Sequence, residues 1–130
     1  MKADDKSRDE IMALVTETYR RLSTPGSNPA ELFAHADMAL AGSTLNELHY
    51  GPDSVKDLIA HVETWGLKWK CEKVTVWREG DVAWVQILSS IKDFRTEPMK
   101  EFPYRTTGIF VREDDGWHWR YWGGSEPQPD

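Results

Sequence analysis

Two hydrophobic periods divide the chain. Between Ile11 and Leu22, the residues Ile11, Leu14, Val15, Thr18, Tyr19 and Leu22 recur three and four apart. Between Val55 and Trp65, the residues Val55, Leu58, Ile59, Val62 and Trp65 repeat the pattern. That spacing predicts two amphipathic helices, each burying a single stripe. Ser7-Arg8-Asp9-Glu10 reads as a capping box at the start of the first, and Pro25-Gly26 ends it. The charged residues 1 to 6 before it read as frayed. Pro52-Asp53-Ser54 opens the other helix and Gly66 closes it. Between them Asn28-Pro29-Ala30-Glu31 predicts a further short helix, Asn28 its N-cap, with Leu32 and Phe33 inward.

From Trp69 onward the period is two. Val74 and Val76 alternate with polar neighbours, Glu79-Gly80-Asp81 makes a turn, and Val82 to Ile91 returns as a long strand. The polar stretch Lys92 to Pro103, broken by Pro98 and Pro103, reads as a loop. Arg105 to Val111 is again a strand, Glu113-Asp114-Asp115-Gly116 a tight turn, and Trp117 to Trp122 an aromatic partner strand. Met38 to Ala41 is a brief strand, and Gly42 to Gly51 is irregular. Strict alternation would turn Trp117, Trp119 and Tyr121 toward the helices and His118, Arg120 and Trp122 away from them. Three helices followed by an antiparallel meander predict one α+β domain over residues 1–130, with a helical layer on a curved sheet and the last strand at or next to its centre. The concave side of such a sheet holds a cavity, the usual place for a ligand.

Charge narrows the partners. Acidic residues (22) outnumber basic ones (16), whereas nucleic acid and anionic membranes both require a clustered positive face. Neither is an expected partner. A lone Cys71 excludes an intrachain disulfide, and four scattered histidines with no pair at ligand spacing argue against a metal. The N-terminal MKADDKSRDE has no apolar run resembling a signal peptide, so the expectation is a cytoplasmic domain.

Four segments, taken in order, carry a resemblance: the helix ending at Ala36-Asp37-Met38, the stretch GSTLNELHYGPDSV, the run Gly80-Asp81-Val82-Ala83-Trp84-Val85, and Asp115-Gly116-Trp117 through Ser125. Together the chain resembles the cone-shaped NTF2-like fold, and within it the SnoaL-like and ketosteroid-isomerase-like proteins. The resemblance implies a hydrophobic pocket and, commonly, a homodimer. Of the ketosteroid isomerase groups, only the helix-1 tyrosine has a counterpart, Tyr19. Gly42 stands where the resemblance would place the aspartate base, and Thr107-Gly108 where it would place the second carboxyl. Glycine cannot abstract a proton, so steroid isomerisation is not expected.

The candidate site residues follow. Tyr19 is either a donor to a ligand oxygen or a core tyrosine. Asp37, two residues from His35, is either an acid–base group or part of an ordinary helix end. Glu47, in a loop at the presumed mouth with His49, is either a base or a brace bonding backbone amides. Trp65, Trp84, Trp119 and Tyr121 are the expected pocket lining. Trp77, Trp122 and Arg120 on the opposite parity suggest a contact surface, hence a homodimer through the outer sheet face. Two functions remain in view. One is the binding of a small hydrophobic molecule, with a cofactor-independent lyase, hydratase or isomerase reaction in which Tyr19 polarises an oxygen and Glu47 or Asp37 is the base. The other is a non-catalytic association module. A closed cavity with a polar group inside favours the first; a cavity filled by tryptophan rings favours the second.

Overall fold

A computed structural model describes all 130 residues. Helix α1 (Asp5–Leu22) is followed by a five-residue 3-10 turn (Pro29–Phe33), strands β1 (Ala39–Ala41) and β2 (Leu48–Tyr50), and helix α2 (Pro52–Glu63). Strands β3 (Lys68–Glu79), β4 (Val82–Asp93), β5 (Lys100–Glu113) and β6 (Gly116–Ser125) complete the chain. They form one six-stranded sheet in the order β2-β1-β6-β5-β4-β3. All neighbours are antiparallel except β1 and β6, which run parallel. The last strand is interior to the sheet, flanked by β1 and β5.

Four expectations are corrected here. The chain has two α-helices rather than three. Asn28 takes a left-handed conformation (φ 57°) without capping by its side chain, and the segment it opens closes after a single tight turn. Five residues form too few helical hydrogen bonds to sustain an α-helix, and burial of Phe33 anchors the turn instead. The N-terminus is not frayed. Ala3 N–H donates to the Val76 carbonyl and Arg78 N–H to that of Met1, which covers part of the open edge of β3. The loop between β4 and β5 is short, because Lys100 to Pro103 pair with Asp93 to Ser90. Pro103 is tolerated because β6 ends at Ser125, opposite Arg105, so β5 is an edge there.

The fourth correction concerns the aromatic strand. Ile109 pairs with Tyr121 and Phe110 with Trp119, which leaves Arg120 as an extra residue in a β-bulge. A bulge shifts every later residue to the opposite face. Trp117 and Trp119 face the helices as expected, but Tyr121 turns outward and Trp122 turns in, where it is buried. Trp122 packs on Tyr19, Phe33, Trp69 and Trp119, so it belongs to the core and not to an outer contact surface.

The core lies between α1, the 3-10 turn and the inner sheet face. At its centre Trp119 is fully buried, with Phe33 and Phe110 ring centroids 5.3 and 4.3 Å away. Its indole N–H donates to Thr18 Oγ1 at 2.9 Å, which meets the requirement that buried donors be paired. Gly108 lies beneath it. A Cβ there would come within 2.7 Å of the Trp119 ring and 2.9 Å of Val85, so this strand position is closed to any larger residue.

Candidate functional site

Helix α2 packs against β1, β2 and the 3-10 turn but leaves a gap toward β3 and β6. That gap is a cavity of about 200 Å³. Leu58, Ile59, Val62 and Trp65 form the α2 wall, and Trp69, Ile91, Phe102, Tyr104 and Trp122 the sheet wall. Phe33 and Leu40 also line it. Leu58, Val62 and Trp65 remain half-buried, because this part of the α2 stripe faces the cavity instead of another side chain.

Polar residues also border this apolar chamber. Gly42, Ser43, Thr44, Glu47, Tyr104, Arg95 and Glu126 all border it. The loop carrying Glu47 is wound tightly. Gly42 N–H donates to the Glu47 carbonyl at 2.6 Å and Glu47 N–H to that of Thr44 at 3.2 Å. The Glu47 side chain folds back, its Oε1 accepting from Thr44 N–H at 3.0 Å and from the Thr44 hydroxyl at 2.7 Å. Its Oε2 carries no protein hydrogen bond and remains free. A Cβ on Gly42 would lie 2.6–2.8 Å from Glu47 Cβ, Oε1 and Cδ. Glycine at 42 is therefore what admits the carboxylate from position 47.

Tyr104 is the phenol of the cavity. It lies across Gly124 on β6, where any Cβ would collide with its hydroxyl. Burial pushes its pKa up to about 12, with the Trp122 indole pulling the other way and the charges of Glu47 and Glu126 adding to the rise. The group therefore stays protonated and able to donate across the physiological range. Glu126 accepts from the Ser43 hydroxyl through Oε2 at 3.1 Å. Arg95 is committed elsewhere. Its Nε and Nη2 bond Asp93 at 3.0 and 2.8 Å, holding the Asp93 carboxyl down near 2, and its guanidinium lies 4.1 Å from the Trp65 ring centroid.

The expected site residues are dispersed. Trp65 lines the cavity and Glu47 borders it, acting as a loop brace through Oε1 while Oε2 is unengaged. Tyr19 lies in the core beneath the chamber, its hydroxyl 3.0 Å from Thr106 Oγ1. Burial raises its pKa, and it meets the cavity only through Trp69 and Trp122, on which it packs. Trp119 is likewise core. Asp37 is exposed and lies away from the chamber, and its backbone N–H donates to His35 Nδ1 at 3.0 Å. Trp84 is on the outer sheet face, because in β4 it is Ala83, Val85, Ile87, Ser89 and Ile91 that are buried. Tyr121 is on that outer face too, by way of the Arg120 bulge, and its ring covers Gly123.

Tyr104, Trp69, Phe102 and Glu126 were not singled out from sequence, and Trp122 was assigned to the outer face instead of the cavity wall. One signal was available for Tyr104. Two adjacent glycines inside a strand, Gly123-Gly124, mark a place where something large approaches the backbone. No cluster of three or more His, Cys, Asp and Glu at metal-holding spacing occurs, and no helix is long and apolar enough to cross a membrane.

Comparison with known proteins yields a consistent fold. The model of the SnoaL-like domain family matches residues 11–129. No curated protein matches the sequence. Among solved structures, a dehydratase candidate of the NTF2-like family from Streptomyces avermitilis superposes with a TM-score of 0.85 at 17% identity, covering 96% of this chain and 99% of its own. A candidate calcium/calmodulin-dependent protein kinase II association domain from Xanthomonas campestris gives 0.83 at 18% identity, with coverages of 99% and 96%. An NTF2-like protein with a cystatin-like fold from Novosphingobium aromaticivorans gives 0.79 at 17%, with coverages of 96% and 84%. At such identities the likeness establishes the fold alone.

Proposed function

The chain belongs to the SnoaL-like domain family, and from that premise we propose that it takes a small hydrophobic molecule into the cavity beneath α2 and moves a proton on it without a cofactor. The observation that carries this reading is an open aromatic chamber bordered by a carboxylate with one oxygen free and by a neutral phenol. Trp65, Trp69 and Trp122 are its walls and leave its centre empty, which favours a binding site over an association module. The volume limits the occupant. An apolar cavity of roughly 150 Å³ already accepts a benzene, so about 200 Å³ accommodates one ring and a few further atoms.

Roles follow from what each group can do. Glu47 Oε2 is the base, because it is the carboxylate oxygen left unbonded by the loop. Tyr104 is the donor that polarises a substrate oxygen, the part Tyr19 cannot take from beneath the floor. In an elimination, Glu47 removes a C–H proton, that bond pair becomes the new double bond, and the proton leaves with the departing hydroxyl as water. Returning the proton to another carbon instead gives an isomerisation, and running the elimination backwards gives a hydration. The Streptomyces avermitilis relative described as a dehydratase candidate accords with this class of reaction. A plug tests the reading. Neutral one-ring compounds such as 2-phenylethanol should raise the melting temperature of the native protein, and Leu58→Trp should remove the shift while keeping the fold. An equal shift in that variant would place binding elsewhere.

With Trp122 in the core, the outer sheet face presents a different set of residues around Trp77. Trp77, Trp84, Ile109 and Tyr121 pair successively across β3, β4, β5 and β6, which puts four half-exposed apolar side chains in one row on the outer face. We propose that two copies pair across this row. Sedimentation equilibrium at micromolar concentration should give a dimer that Trp84→Glu converts to monomer; a native monomer would refute it.

A further inference from the structure

The cavity is not electrically neutral. Glu47 and Glu126 border it from the Gly42–Glu47 loop and from the tail beyond β6, and the Ser43 hydroxyl of that same loop donates to Glu126 Oε2 at 3.1 Å, which ties the tail carboxylate to the loop that carries Glu47. Each has one carboxylate oxygen already bonded, Glu47 Oε1 to Thr44 and Glu126 Oε2 to Ser43, so each is oriented with its second oxygen free. The only cation bordering the chamber, Arg95, is neutralised by a two-point bond to Asp93. An anionic ligand would therefore meet two carboxylates and no free positive charge. The remaining wall is aromatic, and ring faces attract cations. The protein already uses that chemistry here, since the Arg95 guanidinium lies over the Trp65 ring.

We propose that the ligand of this cavity is an aryl-alkylamine: one aromatic ring held among Trp65, Trp69 and Trp122, with a protonated amine at the rim beside Glu126. This rests on the reading of the cavity as a small-molecule site and adds the charge of its occupant. The two carboxylates divide the work. Glu126, exposed on the tail, holds the ammonium, while Glu47, half-buried in its loop, is left to exchange the proton. An acidic rim on a chain of net charge −6 also attracts such a ligand from solution.

Three probes with the same ring separate charge from shape: 2-phenylethylamine, 2-phenylethanol and 3-phenylpropanoate, each titrated calorimetrically into the full-length protein at neutral pH and low salt. The amine should bind about tenfold more tightly than the alcohol, as expected for a partly exposed ion pair reinforced by ring faces, and the carboxylate most weakly. Glu126→Gln, a change on an exposed tail that leaves the core untouched, should abolish most of the amine's advantage and leave the alcohol's affinity unchanged. Equal binding of amine and alcohol, a preference for the carboxylate, or an amine preference indifferent to Glu126→Gln would overturn the proposal while leaving the ring site standing. Failure of all three probes to bind would overturn the ring site itself, and this proposal with it.

Discussion

Glu47→Gln is expected to lower turnover by roughly 10²- to 10⁴-fold, the usual contribution of a positioned general base, without unfolding the domain. The amide keeps the side chain's shape, and its carbonyl oxygen can still accept from the Thr44 N–H and hydroxyl that hold the loop. What it lacks is a basic oxygen at the Oε2 position. The loss should therefore fall on kcat and kcat/KM alike, with little change in KM where substrate exchange is fast, since the group acts in the transition state. Asp37→Asn is the control. Asp37 is exposed and outside the chamber, so its replacement should leave turnover unchanged. Steady-state kinetics on a substrate found among the one-ring ligands makes the comparison.

Trp119→Ala is expected to cost about 3–5 kcal/mol, the range for truncating a large buried ring. A domain of this size has about 5–15 kcal/mol in total, so the variant should lose a large share of its stability. The cost has three sources. The ring is fully buried, its neighbours Phe33, Phe110 and Trp122 are held by the backbone and cannot close the void, and Thr18 Oγ1 loses the indole N–H. Gly108 beneath offers no side chain to fill the space. Trp119→Phe keeps part of the ring and should cost less. Trp84→Ala, a ring of the same size on the half-exposed outer face, should cost less still in the monomer. Urea denaturation checks this, as a fall in midpoint at constant slope.

Helix α1, helix α2 and both hairpins were legible because each rests on a local rule. Their apolar stripes, the Gly80 turn and the Gly116 turn depend on nearby residues only. The misread features depend on distant ones. Nothing in WHWRYW announces that Arg120 stands outside the ladder, since a bulge is decided by how β6 must bend between β1 and β5. With the bulge unread, Tyr121 and Trp122 exchanged faces. The run from Val82 to Ile91 carries apolar residues at both parities, with Trp84 and Leu88 on one and Ala83, Val85 and Ile87 on the other, so its inward face was undetermined until the pairing with β3 and β5 was known. Asn28-Pro29 carries the letters of a helix start, but the chain has room there for a single turn. In the site, Glu47 and Trp65 were found because loop and stripe are visible in the sequence. Tyr104 was missed because its role depends on Gly124 across the sheet.

The claim on which the rest depends is that the chamber beneath α2 accepts an aromatic ring. A crystal of the native protein equilibrated with bromobenzene tests it without reference to charge or catalysis. An anomalous bromine peak is expected inside the cavity, bounded by Leu58 and Trp65 on one side and Trp69 and Trp122 on the other. A chamber filled by a shifted Trp65 or Trp69 ring, with bromine only at the surface, would contradict it.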